Sequence, residues 1–197
     1  PPLLDDVVAR LEAGAEVIDV GCGAGGAAML IAEAFPASRV RGYDISQHAL
    51  EHAEARRREA GLDNVSFHDP REEPPPDDGS VALALTLDCI HDMAHPETVI
   101  AGLRRALADD GTWLLVDIKA RPTYAENVER NPMASMMYGI SVLTCLSSSM
   151  SEPGGAGLGT LGLPPEKAEA MAADAGFSRF RRLAVDHAVN AFYEIRP

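Results

Sequence analysis

Apolar residues along the chain alternate between two rhythms: short continuous or alternating runs, and runs spaced by three and four. The second rhythm comes first. Leu3, Leu4, Val7, Val8 and Leu11 share one helical face, which predicts a helix over Leu3–Ala13 stopped by Gly14. Glu16–Val20 reads as a short strand running into glycines, followed by a helix over Ala27–Phe35 that ends before Pro36. A second strand is predicted over Arg39–Ile45. Ser46 is placed to cap a helix over Gln47–Ala60, because its hydroxyl can accept from a free N–H of the first turn, and Gly61 closes that helix. Asn64–His68 is the third predicted strand, and the acidic, proline-rich stretch Pro70–Gly79 is a loop.

Val81–Leu87 is apolar almost without interruption, as expected of a central parallel strand covered on both faces. Pro96 opens a helix with Val99, Leu103, Ala106 and Leu107 on one face; Asp109-Asp110-Gly111 is predicted to end it and lead into a strand over Thr112–Ile118. Asn131 is a predicted cap for a helix from Pro132 that carries Met133, Met136, Met137, Ile140 and Leu143 at helical spacing. A glycine-rich loop over Pro153–Gly162 precedes a helix over Pro164–Ala175. Phe177–Val185 and Val189–Ile195 then read as an antiparallel pair. Repeated strand–helix units of this kind predict an α/β fold: a Rossmann-like three-layer sandwich with a seven-stranded, mostly parallel sheet, an antiparallel last strand and helices on both faces.

Composition narrows the partners. The 197 residues carry a net charge of -13, which would repel a polyanion over most of the surface and argues against nucleic acid. No apolar run reaches the length of a membrane helix, and no charged leader precedes a short apolar stretch, so no membrane role is expected. Cys22, Cys89 and Cys145 are odd in number and widely separated, which suits a reducing cytoplasm rather than a disulfide scaffold. No His or Cys pair has metal-ligand spacing with a third ligand, and no metal is expected.

The glycines after the first strand carry the chemistry. Gly21, Gly23 and Gly26 match Gly-x-Gly-x-x-Gly, a turn that lets a ligand approach backbone at a helix N-terminus; alone the pattern also fits a dinucleotide. Asp19, two residues before Gly21, would repel a pyrophosphate. Asp44 ends the second strand, where it can accept from two ribose hydroxyls, and Asp69 ends the third, within reach of an adenine amino group. Three strand-end carboxylates suit a nucleoside with cationic sulfonium and ammonium groups and no phosphate.

In order and spacing, the strings at 16–26, 40–46, 64–69 and 81–118 resemble the successive motifs of class I S-adenosylmethionine-dependent methyltransferases. The resemblance implies that S-adenosylmethionine is the cofactor, leaving as S-adenosylhomocysteine, in a pocket of Asp19, Gly21, Cys22, Gly23, Asp44, Ile45, Asp69 and the backbone near Leu87. An NAD-dependent oxidoreductase and a non-catalytic cofactor-binding module are the competing readings.

Methyl transfer to a hydroxyl gains from a general base, and His91 lies just past the fourth strand, at the sheet edge where open parallel sheets hold their ligands. Cys89-Ile90-His91-Asp92-Met93 resembles the His-Asp-Trp element of caffeic-acid-type small-molecule O-methyltransferases, with Met93 in place of the Trp. That resemblance makes His91 the base for a small-molecule acceptor, most simply an oxygen, and puts Asp117 where a longer Glu orients the His. Asp92 is read as a charge at a helix N-terminus. Residues 121–163 interrupt the sheet rhythm and are expected to cap the acceptor, with Tyr124, Met133, Met136, Met137 and Tyr138 as a pliable wall and the following glycines as a lid. The whole of 1–197 is then one catalytic domain. Similarity to bacterial methyltransferases fused to a winged-helix domain, together with the start at Pro1, implies an N-terminal domain outside this chain through which a homodimer forms.

Overall fold

The computed structural model describes residues 3, 4 and 6–197. Strands β1 (Glu16–Val20), β2 (Arg39–Tyr43), β3 (Val65–His68), β4 (Val81–Leu87), β5 (Leu107–Ile118), β6 (Arg179–Arg182) and β7 (Asn190–Arg196) form one sheet in the order β3-β2-β1-β4-β5-β7-β6. All neighbouring pairs from β3 to β5 are parallel, and β7 runs antiparallel to both β5 and β6. The predicted seven-stranded sheet with an antiparallel last strand is what forms.

The helices are α1 (Val7–Ala13), α2 (Gly26–Ala34), α3 (Gln47–Ala60), α4 (Pro96–Ala106), α5 (Tyr124–Arg130), α6 (Ala134–Leu143), α7 (Cys145–Ser149) and α8 (Pro165–Asp174). Val7 and Leu11 of α1 and Ala28, Met29, Ile31 and Ala32 of α2 pack in one apolar cluster with Val17, Val40, Leu83 and Leu85. Ile100, Leu103 and Ala106 of α4 and Ala168 and Ala172 of α8 join a second cluster around Trp113 and Ile195. Alternate residues of the central strands thus feed opposite clusters, which is why β4 is buried from Val81 to Thr86. Each fully buried aliphatic side chain contributes about 1.5–3 kcal/mol. Trp113 is buried whole and keeps its indole N–H satisfied by donating to Thr86 Oγ1 at 2.8 Å.

Several boundaries differ from the sequence reading. Helix α1 begins at Val7 rather than Leu3, after Asp6 adopts a left-handed φ of 56°; Asp5, inside the predicted helix, lies outside the described residues. Asp109-Asp110-Gly111 does not end α4, which stops at Ala106. The triplet is instead part of an irregularity within β5: Val81 pairs with Leu107, and the register resumes only at Leu83 with Thr112. A Cβ on Gly111 would come within 2.9 Å of the carbonyl oxygens of Ala108 and Val81, so the bulge needs glycine there. Helix α5 was missed although its signal was present. Thr123 and Glu126 form a capping box, with the hydroxyl accepting from Glu126 N–H and the carboxylate from Thr123 N–H. Helix α6 starts at Ala134, after Asn131 Oδ1 accepts from Met133 N–H.

Candidate active site

The sheet order turns back on itself between β1 and β4, and such a crossover leaves a crevice at the C-terminal strand ends. The glycine turn fills the near side of it. Gly21 and Cys22 both donate their N–H groups to Tyr43 O, at 2.8 and 3.0 Å, which ties the turn to the end of β2. Gly21 has φ 75°, and a Cβ there would lie 2.7 Å from both Cβ and Sγ of Cys89. A side chain would therefore be strained and obstructed together. Gly23 N–H donates to Asp44 Oδ2 at 2.8 Å, while Ser46 N–H donates to Asp44 Oδ1 at 2.8 Å. One carboxylate thus links the glycine turn to the start of α3.

Asp19 lies within β1, 1% exposed, and its Oδ1 is buried without a hydrogen-bond partner. Burial pushes its carboxyl up to about 7; the Ala28 backbone N–H opposes the rise and Asp44 adds to it. Asp69 is bound more tightly than the sequence suggested. Arg71 Nη2 donates to it at 2.6 Å and Gln47 Nε2 at 2.7 Å, and the Arg71 guanidinium holds its carboxyl well below the usual range. Arg71 Nη2 also donates to Ile45 O at 2.8 Å, so one guanidinium joins the ends of β2 and β3; the Ile45 side chain stays exposed.

His91 sits in a 3-10 turn, Ile90–Asp92, just beyond β4, and is 3% exposed. Its Nδ1 lies 2.6 Å from Asp117 Oδ1 at the end of β5. The same oxygen accepts from Ile118 N–H at 2.7 Å, while Asp117 Oδ2 is buried without a partner. On the other side of the ring, Nε2 lies 3.2 Å from Asp92 Oδ1, close enough for an ion pair but outside good hydrogen-bond geometry. Burial is the largest single influence on the ring and opposes its charge. The bond to Asp117 and the negative charges of Asp117 and Asp92 outweigh it together and push His91 well up. Asp92 is therefore not a helix N-terminal charge: α4 begins later, at Pro96, and Asp92 serves the histidine instead.

A cavity of about 750 Å³ runs from Gly21, Asp44 and Ile45 past Asp88 and Asp92 to Met93, Val99 and Leu103. Asp92 is on its wall and His91 is behind it. From residues 121–163 only Ser148, Ser151 and Glu152 line it among the described residues. The expected aromatic and Met wall is elsewhere: Met133, Met136 and Tyr124 face solvent, while Met137 and Tyr138 pack on Ala120, Ala134 and Leu161. The glycine-rich segment is pinned rather than free, since Ala156 N–H donates to Ala94 O and Gly159 N–H to His91 O.

Asp88, missed from the sequence, follows β4 with a left-handed φ of 53° and lines the cavity, its carboxylate accepting from Asn190 Nδ2. Its position straight after the apolar run was the one signal the sequence offered. Gln47 and Arg71 were missed because nothing local marks a long side chain that reaches a neighbouring strand end.

Residues 11–162 match the family described as a methyltransferase domain. Among curated proteins, the chain is 34% identical over 110 residues to trans-aconitate 2-methyltransferase of Methylobacterium nodulans, covering 54% of this chain and 40% of that protein. It is 31% identical over 129 residues to an S-adenosyl-L-methionine-dependent Diels-Alderase of Talaromyces variabilis, covering 62% and 42%. It thus spans less than half the length of these curated relatives. Human N-acetylserotonin methyltransferase, solved with S-adenosylmethionine, superposes with a TM-score of 0.66 at 17% identity, over 99% of this chain and 49% of that one, a likeness of fold. With more than half of its length matched, from the end of α1 through the glycine-rich segment, the chain belongs to the methyltransferase-domain family.

Proposed function

We propose that the chain binds S-adenosylmethionine in the crevice between β1 and β4 and transfers its methyl group to a small-molecule acceptor through oxygen, with His91 as the base. The observation that carries the reading is the buried His91–Asp117 pair, which stands one residue behind a cavity that starts at the glycine turn.

The residues suit that cofactor. Asp19 Oδ1 is a buried carboxylate oxygen without a partner beside a turn open at Gly23, an arrangement matched to a cationic amino-acid end. Asp44 stands at the rim for ribose hydroxyls. Ile45, Asp69 with Arg71, and the backbone near Leu87 would enclose the adenine side, with Cys22 and Gly21 beneath. The cavity lies within the range of about 300–1,000 Å³ usual for small-molecule sites. When bound, S-adenosylmethionine supplies an electrophilic methyl group and a neutral thioether leaving group.

The protein's own part is to position the acceptor and take its proton. Asp117 fixes the ring of His91 through Nδ1, so Nε2 is the basic atom and points toward Asp92 and the cavity wall. The Asp92 contact is poorly aligned and is displaced by an acceptor hydroxyl. Its departure weakens one of the two negative influences that keep a proton on the ring, so that proton is released to solvent more readily and Nε2 is left free to take the acceptor's proton. Parallel calorimetric titrations with S-adenosylhomocysteine and NADH test the cofactor assignment. Only the first is expected to bind at micromolar concentration, and binding of NADH alone would refute the reading.

Likeness to the Diels-Alderase supports a second reading, in which the cofactor stays intact and the cavity shapes a ring-forming reaction. Release of S-adenosylhomocysteine during turnover separates the two.

A further inference from the structure

No His or Cys pair along the chain has metal-ligand spacing with a third ligand, but the fold brings His91 and Asp92 together with Cys145 from a distant segment. Cys145 opens α7, which packs against the 3-10 turn that carries His91 and Asp92. His91 Nε2, an Asp92 carboxylate oxygen and Cys145 Sγ all lie within 4.8 Å of one another. We propose that these three side chains form a site for a thiophilic divalent cation, with zinc as its type, and that zinc bound there shuts off methyl transfer.

The donor set and its surroundings both favour this. Imidazole, thiolate and carboxylate are the ligands zinc takes, at about 2.0–2.3 Å each, and in a tetrahedron neighbouring donors then lie about 3.2–3.8 Å apart. His91 Nε2 and Asp92 Oδ1 are already 3.2 Å apart, so a small inward movement of Cys145 completes the set. Asp92 Oδ1 is buried without a hydrogen-bond partner. His91 presents its other nitrogen to Asp117, the carboxylate–histidine arrangement that commonly backs a metal-bound imidazole. Asp92 lines the cavity, which gives an ion a way in and leaves its fourth position to water. Binding would also lock α7 of the 121–163 segment to the core. Inhibition rests on the reading of His91 as the base, because a cation on Nε2 occupies the lone pair that the acceptor's proton needs; binding does not.

The test titrates the full chain with cobalt and zinc, followed by absorbance and calorimetry, and compares Cys145→Ser. Expected are a single equivalent of metal at micromolar affinity and a thiolate-to-cobalt charge-transfer band. In Cys145→Ser the band should vanish and zinc should bind at least about tenfold more weakly. The variant, its folding checked by circular dichroism, should keep its turnover and resist inhibition by zinc. A band that survives Cys145→Ser, or no binding at micromolar metal, overturns the site. Binding through Cys145 with turnover untouched overturns the inhibition and counts against His91 as base, while leaving the S-adenosylhomocysteine titration to judge the cofactor assignment separately.

Discussion

Asp117, at the end of β5, holds His91, just past β4, by a 2.6 Å contact to Nδ1 between two side chains that are each almost wholly buried. The adjacent parallel strands set this pair, since Leu87 pairs with Val116 and the residues just beyond that pair are carried to the same edge. The other ring nitrogen is thereby left facing Asp92.

His91→Ala is expected to lower turnover on a phenolic acceptor by about 10²–10⁴-fold, with the affinity for S-adenosylhomocysteine unchanged. Asp117→Asn should give a smaller loss, since it keeps the ring's neighbour but not its charge. Steady-state kinetics beside calorimetry would check both. Normal turnover in His91→Ala would shift the assignment toward a nitrogen or carbon acceptor.

The pH profile follows from the raised His91 value. A base must shed its own proton before it can take another, so a group held up by Asp117 and Asp92 gains activity as pH rises beyond neutrality. Asp92→Asn removes one of those charges and should move the rising limb of kcat/KM to lower pH. A limb that stays in place would mean that another group sets it.

Asp44→Ala removes the acceptor proposed for the ribose hydroxyls and the link between Gly23 and Ser46. The expected loss is roughly 1.5–3 kcal/mol of S-adenosylhomocysteine binding, about tenfold to a hundredfold in Kd by calorimetry. An unchanged Kd would remove Asp44 from the cofactor site.

Asp19 gives a second pH signature, in stability. Its carboxyl is raised from 3.8 to about 7 by burial, so across that interval the folded chain binds more protons than the unfolded one. This group's contribution therefore falls as pH rises through the window, and Asp19→Asn should flatten the dependence in urea unfolding. A bound cation beside Asp19 favours the ionised form, so S-adenosylhomocysteine should bind more tightly at pH 8 than at pH 6. The reverse trend would contradict Asp19 as the partner of the amino-acid end.

Glu194, fully buried in β7, pairs with Arg181 on β6 at 2.5 Å and Arg196 at 2.9 Å. Glu194→Ala leaves both guanidinium groups without this carboxylate and should cost about 3–5 kcal/mol in urea unfolding, far more than loss of an exposed ion pair. A change below about 1 kcal/mol would show the network to be solvent-screened.

The sequence by itself determined the alternation of elements and hence the sheet. Hydrophobic period and punctuation by Ser46, Gly61 and Pro96 are local properties, and β1, α3 and β4 fall where those properties put them. It also singled out Asp19, Gly21, Asp44 and His91 as candidates, because strand ends are visible as places where apolar runs stop, whereas Asp117 followed only from the family resemblance. Only the tertiary structure decided what those side chains touch. The Arg71 clamp on Asp69, the Asp92 screen before His91, the approach of Cys145 and the outward-facing Met133 and Met136 all depend on which segments pack together. Periodicity fixes which face of an element is apolar but not what that face meets, since contacts between distant segments arise only when the layers close.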